Sequence, residues 1–72
     1  MEHRDLLERA IRALGSQQKL AEAIGLSQQG VSYLLNNAPR VTAEVAVAIE
    51  RATGGQVRRA ELRPDIFGEP TP

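Results

Sequence analysis

Residues 17–37 read QQKLAEAIGLSQQGVSYLLNN, and this stretch decides the fold because it predicts two short helices joined by a tight turn. Ala21 is small enough to let the second helix cross close to the first. Gly25 stands where the chain must turn sharply, and a left-handed backbone there costs little only for glycine. Val31 and the neighbouring leucines would pack the second helix onto the first. The stretch is therefore predicted to be a helix-turn-helix.

The exposed face of the second helix is predicted to be polar and uncharged. No charged side chain occurs between Glu22 and Arg40. Short amide and hydroxyl side chains can hydrogen-bond base edges in the major groove of DNA. Lys19 and Arg40 lie on either side of the neutral stretch and are candidate contacts to phosphates. A neutral face with few cations at its margins predicts weak non-specific binding, so specific contacts would matter more.

Apolar residues at helical spacing predict four helices and give no convincing signal for a strand. A serine or threonine precedes three of them as an N-cap, because its hydroxyl can accept a hydrogen bond from the first turn. The predicted helices cover residues 4–14, 17–24, about 28–36, and from Thr42 to about Thr53. The predicted N-caps are Ser16, Ser27 and Thr42. The side chains predicted to be buried in the last three helices are Leu20, Ala21, Ile24, Val31, Leu34, Leu35, Val45, Ile49 and Ala52.

Residues 56–67 differ in character from the helical part that precedes them. Their apolar side chains could fold back onto the core or form a dimer contact, with one helical turn near residues 59–62. Their arginines could touch flanking DNA or pair with nearby carboxylates, and pairing or partner binding is favoured. Residues 68–72, GEPTP, are predicted to be disordered. The apolar residues of this segment are Val57, Leu62, Ile66 and Phe67, and the charged ones are Arg58, Arg59, Glu61, Arg63 and Asp65.

Composition restricts the classes of function open to the chain. Seventy-two residues suit one small domain with a modest core. There is no cysteine and His3 is the only histidine, so we expect neither a disulfide framework nor a metal site, and no cofactor. No apolar run approaches the about 18 residues of a membrane span, and no signal peptide opens the chain. A cytoplasmic protein without a membrane partner is expected.

Residues 17–37 resemble the helix-turn-helix of lambda-type phage repressors and of the wider Cro and repressor family. The segments QQKLAEAIG and LSQQGVSYLLNN and their spacing carry the resemblance, which covers residues 4–53. TGG at 53–55 and LRPDIF at 62–67 additionally resemble the YdaS-type group of small Cro-like regulators. The resemblance implies an all-α, compact four- to five-helix lambda-repressor-like domain over residues 1–67. It also implies a phage or prophage repressor that binds double-stranded operator DNA as a homodimer.

The same resemblance assigns roles to individual residues. Gln17 matches the glutamine that holds a phosphate and supports the first base-contacting residue. The predicted base contacts are Gln28, Gln29, Ser32 and Tyr33. The predicted contacts to the DNA backbone are Gln17, Lys19, Ser27, Asn36, Asn37 and Arg40. Plainer interpretations stay open: the paired glutamines as solvated residues, the serine as incidental, and the tyrosine as half-buried packing.

One feature departs from the lambda-type pattern, and it lies at the N-terminus. Lambda-type repressors have a basic N-terminal arm that wraps the duplex, whereas MEHRDLLERA is short and mixed in charge. Arm contacts are therefore not inferred from the resemblance. The apolar stripe at residues 6–14 is most simply part of the core.

Two other classes of function are alternatives to DNA binding, namely an enzyme and a protein-interaction module. Ser16 and Lys19 spell the S-x-x-K pair of penicillin-binding enzymes, but neither S-D-N nor K-T-G occurs and the chain is too small for the surrounding cleft. We therefore predict that the protein is not an enzyme. An antitoxin-type interaction module is the second alternative, in which the C-terminal tail would bind a toxin partner, with or without DNA binding.

Overall fold

The computed structural model describes residues 3–36 and 41–68, and these residues form six helices and no strand. The all-α class is confirmed, and the first four helices lie within one residue of their predicted bounds. The short last helix was not predicted: Pro64 begins it, at a first-turn position where proline needs no N–H donor. The helices are α1 (His3–Leu14), α2 (Gln17–Ile24), α3 (Gln28–Asn36), α4 (Ala43–Ala52), α5 (Arg59–Leu62) and α6 (Pro64–Phe67).

Helix α2 lies at the centre of the fold and packs against α1, α3 and α4. Its Leu20 and Ala21 are buried as predicted, and Val31 and Ile49 are buried on α3 and α4. Ala46 is also buried, although the sequence analysis did not select it. Several residues predicted to be buried are only partly covered, namely Ile11, Leu14, Ile24, Leu34, Leu35, Val45 and Ala52.

Side-chain caps begin three of the helices, as the sequence predicted. In each case the hydroxyl accepts a hydrogen bond from the backbone N–H three residues later, which satisfies one donor of the first turn. The bonds join Ser16 Oγ to Lys19 N at 3.1 Å, Ser27 Oγ to Gly30 N at 3.0 Å, and Thr42 Oγ1 to Val45 N at 3.2 Å. The first of these bonds gives the S-x-x-K pattern a structural role as a helix cap.

Gly25 makes the turn of the helix-turn-helix, because it adopts a left-handed backbone with φ 77° and ψ 25°. Its N–H donates to the carbonyl of Ala21, and the N–H of Leu26 donates to the same carbonyl at 2.8 Å. The backbone region that glycine occupies here costs other residues about 1–2 kcal/mol. The turn fixes the direction in which α3 leaves α2.

The segment after α4 folds back onto the core, which was one of the two alternatives left open. Val57 is fully buried and Leu62 nearly so, while α5 packs against α4 and α1. The buried hydroxyl of Thr53 accepts a hydrogen bond from Val57 N at 3.1 Å and donates to Ile49 O at 2.8 Å. These bonds tie the tail to the end of α4.

Ion pairs hold the outside of this segment, as the sequence analysis favoured. Arg63 binds Asp65 with two hydrogen bonds, of 2.9 and 2.7 Å, and donates a third to the carbonyl of Val41 at 2.9 Å. The bond to Asp65 raises the pKa of the Arg63 guanidinium above its usual value. Glu61 pairs with Arg9 of α1 at 3.4 Å, a partner that the sequence did not suggest. The tail is therefore attached to both α1 and the start of α4.

Two further findings concern the ends and the surface of the domain. Gly68 ends α6, and the other residues of the predicted disordered tail 68–72 lie outside the described residues. Within residues 3–36 and 41–68, no helix combines the length and the apolar character that a bilayer crossing needs.

Candidate nucleic-acid interface

The outer side of α3 presents the four residues predicted to contact bases, which we call the α3 polar face: Gln28, Gln29, Ser32 and Tyr33. Both glutamines are exposed, and the tyrosine is 58% exposed. The serine is partly buried. Residues four apart lie one above the other on a helix, so the face consists of two adjacent rows, 28–32 and 29–33. The half-buried packing role considered for Tyr33 is not what the structure shows.

Ser27 acts at the N-terminus of α3 through its backbone and its hydroxyl. Its carbonyl accepts from Val31 N at 3.1 Å, and its hydroxyl caps the helix at Gly30. The N–H groups of Gln28 and Gln29 therefore precede the first intrahelical bond. Such N–H groups and the helix dipole favour an anion at this end of a helix. The contact between Ser27 and the DNA backbone stays a prediction. The N-terminus of α3, which favours an anion, is consistent with it.

A cleft of about 370 Å³ lies between α1, the first residue of α2 and the end of α3. We call it the α1 cleft. Gln17 opens α2 inside this cleft and is partly buried, and Lys19 is exposed on the same helix. The lining residues are Arg4, Glu8, Ile11, Arg12, Gln17 and Leu35.

Asn36 makes contacts within the protein that the sequence did not predict. Its side-chain N–H group donates to the Ser32 carbonyl at 2.9 Å, and its side-chain oxygen accepts from Arg4 at 3.3 Å. The amide of Asn36 therefore connects the end of α3 to α1. Whether it also contacts a phosphate stays a prediction. The predicted contacts Asn37 and Arg40 lie outside the described residues.

The sequence analysis missed the cations of α1. Arg4 and Arg12 are exposed and both line the α1 cleft beside Gln17. The signal was present in the sequence, since residues 4, 8 and 12 are spaced by four and form one row next to the apolar stripe of α1.

The electrostatics of the interface follow from this placement. The α3 polar face carries no charge, and the nearby cations belong to α1 and α2 rather than α3. Across the part of the chain that the structure describes, no three histidine, aspartate or glutamate side chains come close enough to hold a metal ion. The site is therefore a neutral helix surface with a cleft at the end of the helix that holds two guanidinium groups and one carboxylate.

Comparison with known proteins identifies the family. A family model described as bacterial toxin YdaS matches residues 7–71. The chain belongs to the YdaS family. A protein of Escherichia coli strain K12, named YdaS and described as a candidate transcriptional regulator, is 39% identical over 59 residues, which are 82% of this chain and 60% of that protein. This YdaS-family chain thus spans about three fifths of the length of that relative.

A solved structure shows the same arrangement of helices. The Cro protein from a candidate prophage element, Xfaso 1, of Xylella fastidiosa strain Ann-1 is 42% identical to this YdaS-family chain. The two structures superpose with a TM-score of 0.81 over 89% of this chain and 97% of the other. The predicted resemblance to Cro-like, YdaS-type regulators is confirmed, and the fold is that of a Cro protein.

Proposed function

We propose that this YdaS-family protein is a sequence-specific, double-stranded DNA-binding regulator of transcription that places α3 in the major groove. One observation carries the proposal: a glycine turn and the buried side of α2 hold an uncharged amide and hydroxyl face on α3. A helix that enters the major groove contacts base edges with such side chains. The relatedness to a prophage Cro protein and a candidate transcriptional regulator supports the same function. The descriptions of these relatives are consistent with a non-enzymatic role.

The mechanism separates base contacts from contacts that fix the register on the duplex. Gln28 and Gln29 select bases, and Ser32 and Tyr33 extend the contact along α3. The backbone contacts carry no sequence information but set the position and the orientation of the helix. Gln17, Lys19, Ser27, Asn37 and Arg40 make these contacts directly, and Asn36 supports them at the end of α3. Occupation of a promoter would then exclude polymerase and repress transcription.

Selection of bound sequences from a random pool of double-stranded DNA tests this proposal. We expect enrichment of one short motif, because the α3 polar face offers several hydrogen-bonding groups in fixed positions. A dimer would select two related half-sites about 34 Å apart, which is one helical turn of DNA. Recovery of a pool without a shared motif, at a salt concentration where the protein still binds, would contradict a sequence-specific function.

A homodimer is part of the proposal, because one recognition helix contacts few base pairs. Ile66 on α6 is 50% exposed and is the candidate contact in the tail, while α4 is the other candidate element. We expect Ile66→Glu to yield a monomer in light scattering, whereas Gln56→Glu adds the same charge at another exposed tail position and should leave a dimer intact. A dimer in both variants would place the contact elsewhere. A point substitution is needed because removing the tail would take Val57 and Leu62 out of the core.

The toxin-binding alternative is not favoured. Two of the four apolar tail residues, Val57 and Leu62, are buried against the core, and Phe67 packs partly against it. The apolar surface that remains for a partner protein on the described tail is therefore small. The observed geometry supports the tail as part of the DNA-binding domain.

A further inference from the structure

We infer that the α1 cleft receives a phosphate of the DNA backbone, with Arg4 and Arg12 as the contacting cations. The inference rests on the proposed function, because it assigns further binding residues to the same interface. Its first support is the lining of the cleft, in which two guanidinium groups and one carboxylate, that of Glu8, meet the side chain of Gln17. The cleft thus combines a net positive charge with a hydrogen-bonding amide.

The position of the cleft selects the DNA backbone as its occupant. Leu35 lines the cleft and Asn36, the last residue of α3, contacts Arg4. When α3 lies in the major groove, the end of the helix borders the sugar–phosphate strand that forms the wall of the groove. An opening directly beside that end therefore faces phosphates rather than base edges.

The two arginines on α1 are spaced suitably for contacts to the phosphates of one DNA strand. Arg4 and Arg12 are eight residues apart, which corresponds to about 12 Å along a helix. Their side chains are long and exposed, so they can converge on one phosphate or contact two neighbouring ones. Guanidinium groups donate two parallel hydrogen bonds to phosphate oxygens, which makes arginine a preferred residue for this contact.

Arg4 already contacts the end of α3 in the free protein. Its guanidinium donates to the Asn36 side-chain oxygen at 3.3 Å and lies 3.9 Å from the Glu8 carboxylate. Arg9 and Arg59 pair instead with carboxylates that do not line the cleft, those of Glu61 and Glu50. This contact gives Asn36 a positioning role that replaces the direct backbone contact expected from the sequence, since it orients Arg4 towards the DNA strand next to α3.

A salt titration of DNA binding tests the cleft directly. The logarithm of the binding constant falls linearly with the logarithm of the salt concentration, and each lost phosphate contact lowers the slope by about 1. We expect Arg4→Gln and Arg12→Gln each to reduce the slope by about 1 and to leave the preferred sequence unchanged. Arg51→Gln is the matched control, because Arg51 is exposed on α4 and does not line the cleft. Glu8→Gln should strengthen binding, since it removes a negative charge from the cleft.

The outcomes separate this inference from the proposed function. If the wild-type protein binds no double-stranded DNA, both are wrong. If it binds a specific sequence and both arginine variants keep the wild-type slope, only the assignment of the cleft is wrong. Titration with inorganic phosphate alone, monitored by NMR of the arginine N–H groups, shows whether the cleft binds free phosphate or only the phosphates of DNA. Saturable binding of free phosphate together with unchanged slopes would overturn the DNA assignment.

A double-mutant cycle tests the role of Asn36. If Asn36 acts through Arg4, Asn36→Ala weakens DNA binding in the wild-type background and causes no further loss in the Arg4→Gln background. A direct contact between Asn36 and a phosphate would instead give losses that add in the double variant. Additive losses would overturn the positioning role.

Discussion

Replacing Gln28 and Gln29 together by alanine is expected to remove most of the discrimination between the selected DNA sequence and random DNA. A glutamine that bonds adenine bidentately contributes about 1–3 kcal/mol of discrimination. Loss of two such contacts corresponds to about 2–6 kcal/mol, or roughly 30-fold to 10⁴-fold in relative affinity. Both side chains are exposed on the first turn of α3, so their removal should leave the fold intact. Alanine is also at least as good a helix former as glutamine.

Competition binding measures this effect, with the selected duplex and a scrambled duplex competing for the same protein. Thermal unfolding of the variant should match the wild-type protein, which shows that specificity rather than stability was lost. Gln56→Ala is the control, because it removes an exposed glutamine outside the proposed interface. Unchanged discrimination in the double variant would mean that α3 does not contact bases through these residues.

The local part of the fold could be predicted because its signals lie within a few residues of one another. The cap at Ser16 and the left-handed turn at Gly25 each depend on residue type and immediate neighbours. The four long helices follow from the spacing of apolar side chains over one or two turns. The sequence also predicted an uncharged exposed face on α3, because no charged residue occurs between Glu22 and Arg40.

The contacts that complete the candidate site could not be predicted, because they join residues far apart in the chain. Arg4 and Asn36 are separated by 32 positions, and Arg9 and Glu61 by 52. Pairing at such distances depends on how the helices pack, which no local pattern contains. The α1 cleft was missed for this reason: its cations belong to a helix whose apolar stripe indicated only a role in the core.

This placement also changes the expected salt dependence of DNA binding. The sequence alone indicates only Lys19 and Arg40 as candidate phosphate contacts at the margins of the neutral stretch. So few cations predict a shallow slope of the logarithm of the binding constant against the logarithm of the salt concentration. The two arginines of the α1 cleft would steepen it by about 2. Affinity would then depend less on base contacts alone than the neutral α3 polar face suggests.

Leu20→Ala is expected to destabilise the protein enough to remove DNA binding at low DNA concentration. Leu20 is fully buried on α2, the helix that packs against α1, α3 and α4. Truncating a buried leucine costs about 2–5 kcal/mol, since the surrounding helices close the cavity only in part. A domain of this size is typically stable by only about 3–5 kcal/mol, so a loss of this size unfolds a large part of the protein. Without the packing of α2, the turn at Gly25 no longer fixes the direction of α3.

Denaturant unfolding of Leu20→Ala, with and without the selected duplex, measures both consequences. Gln18→Ala is the matched control, because it truncates an exposed side chain on the same helix and should change the free energy of unfolding by no more than about 0.5 kcal/mol. Equal losses in the two variants would show that Leu20 does not pack the core as described. The selected duplex at 100 times its Kd should add about 2.7 kcal/mol to the free energy of unfolding of Leu20→Ala, because the duplex binds only the folded state. The Gln28 and Gln29 double variant should gain far less from the same duplex, which separates a protein that cannot hold α3 from one whose α3 has lost its base contacts.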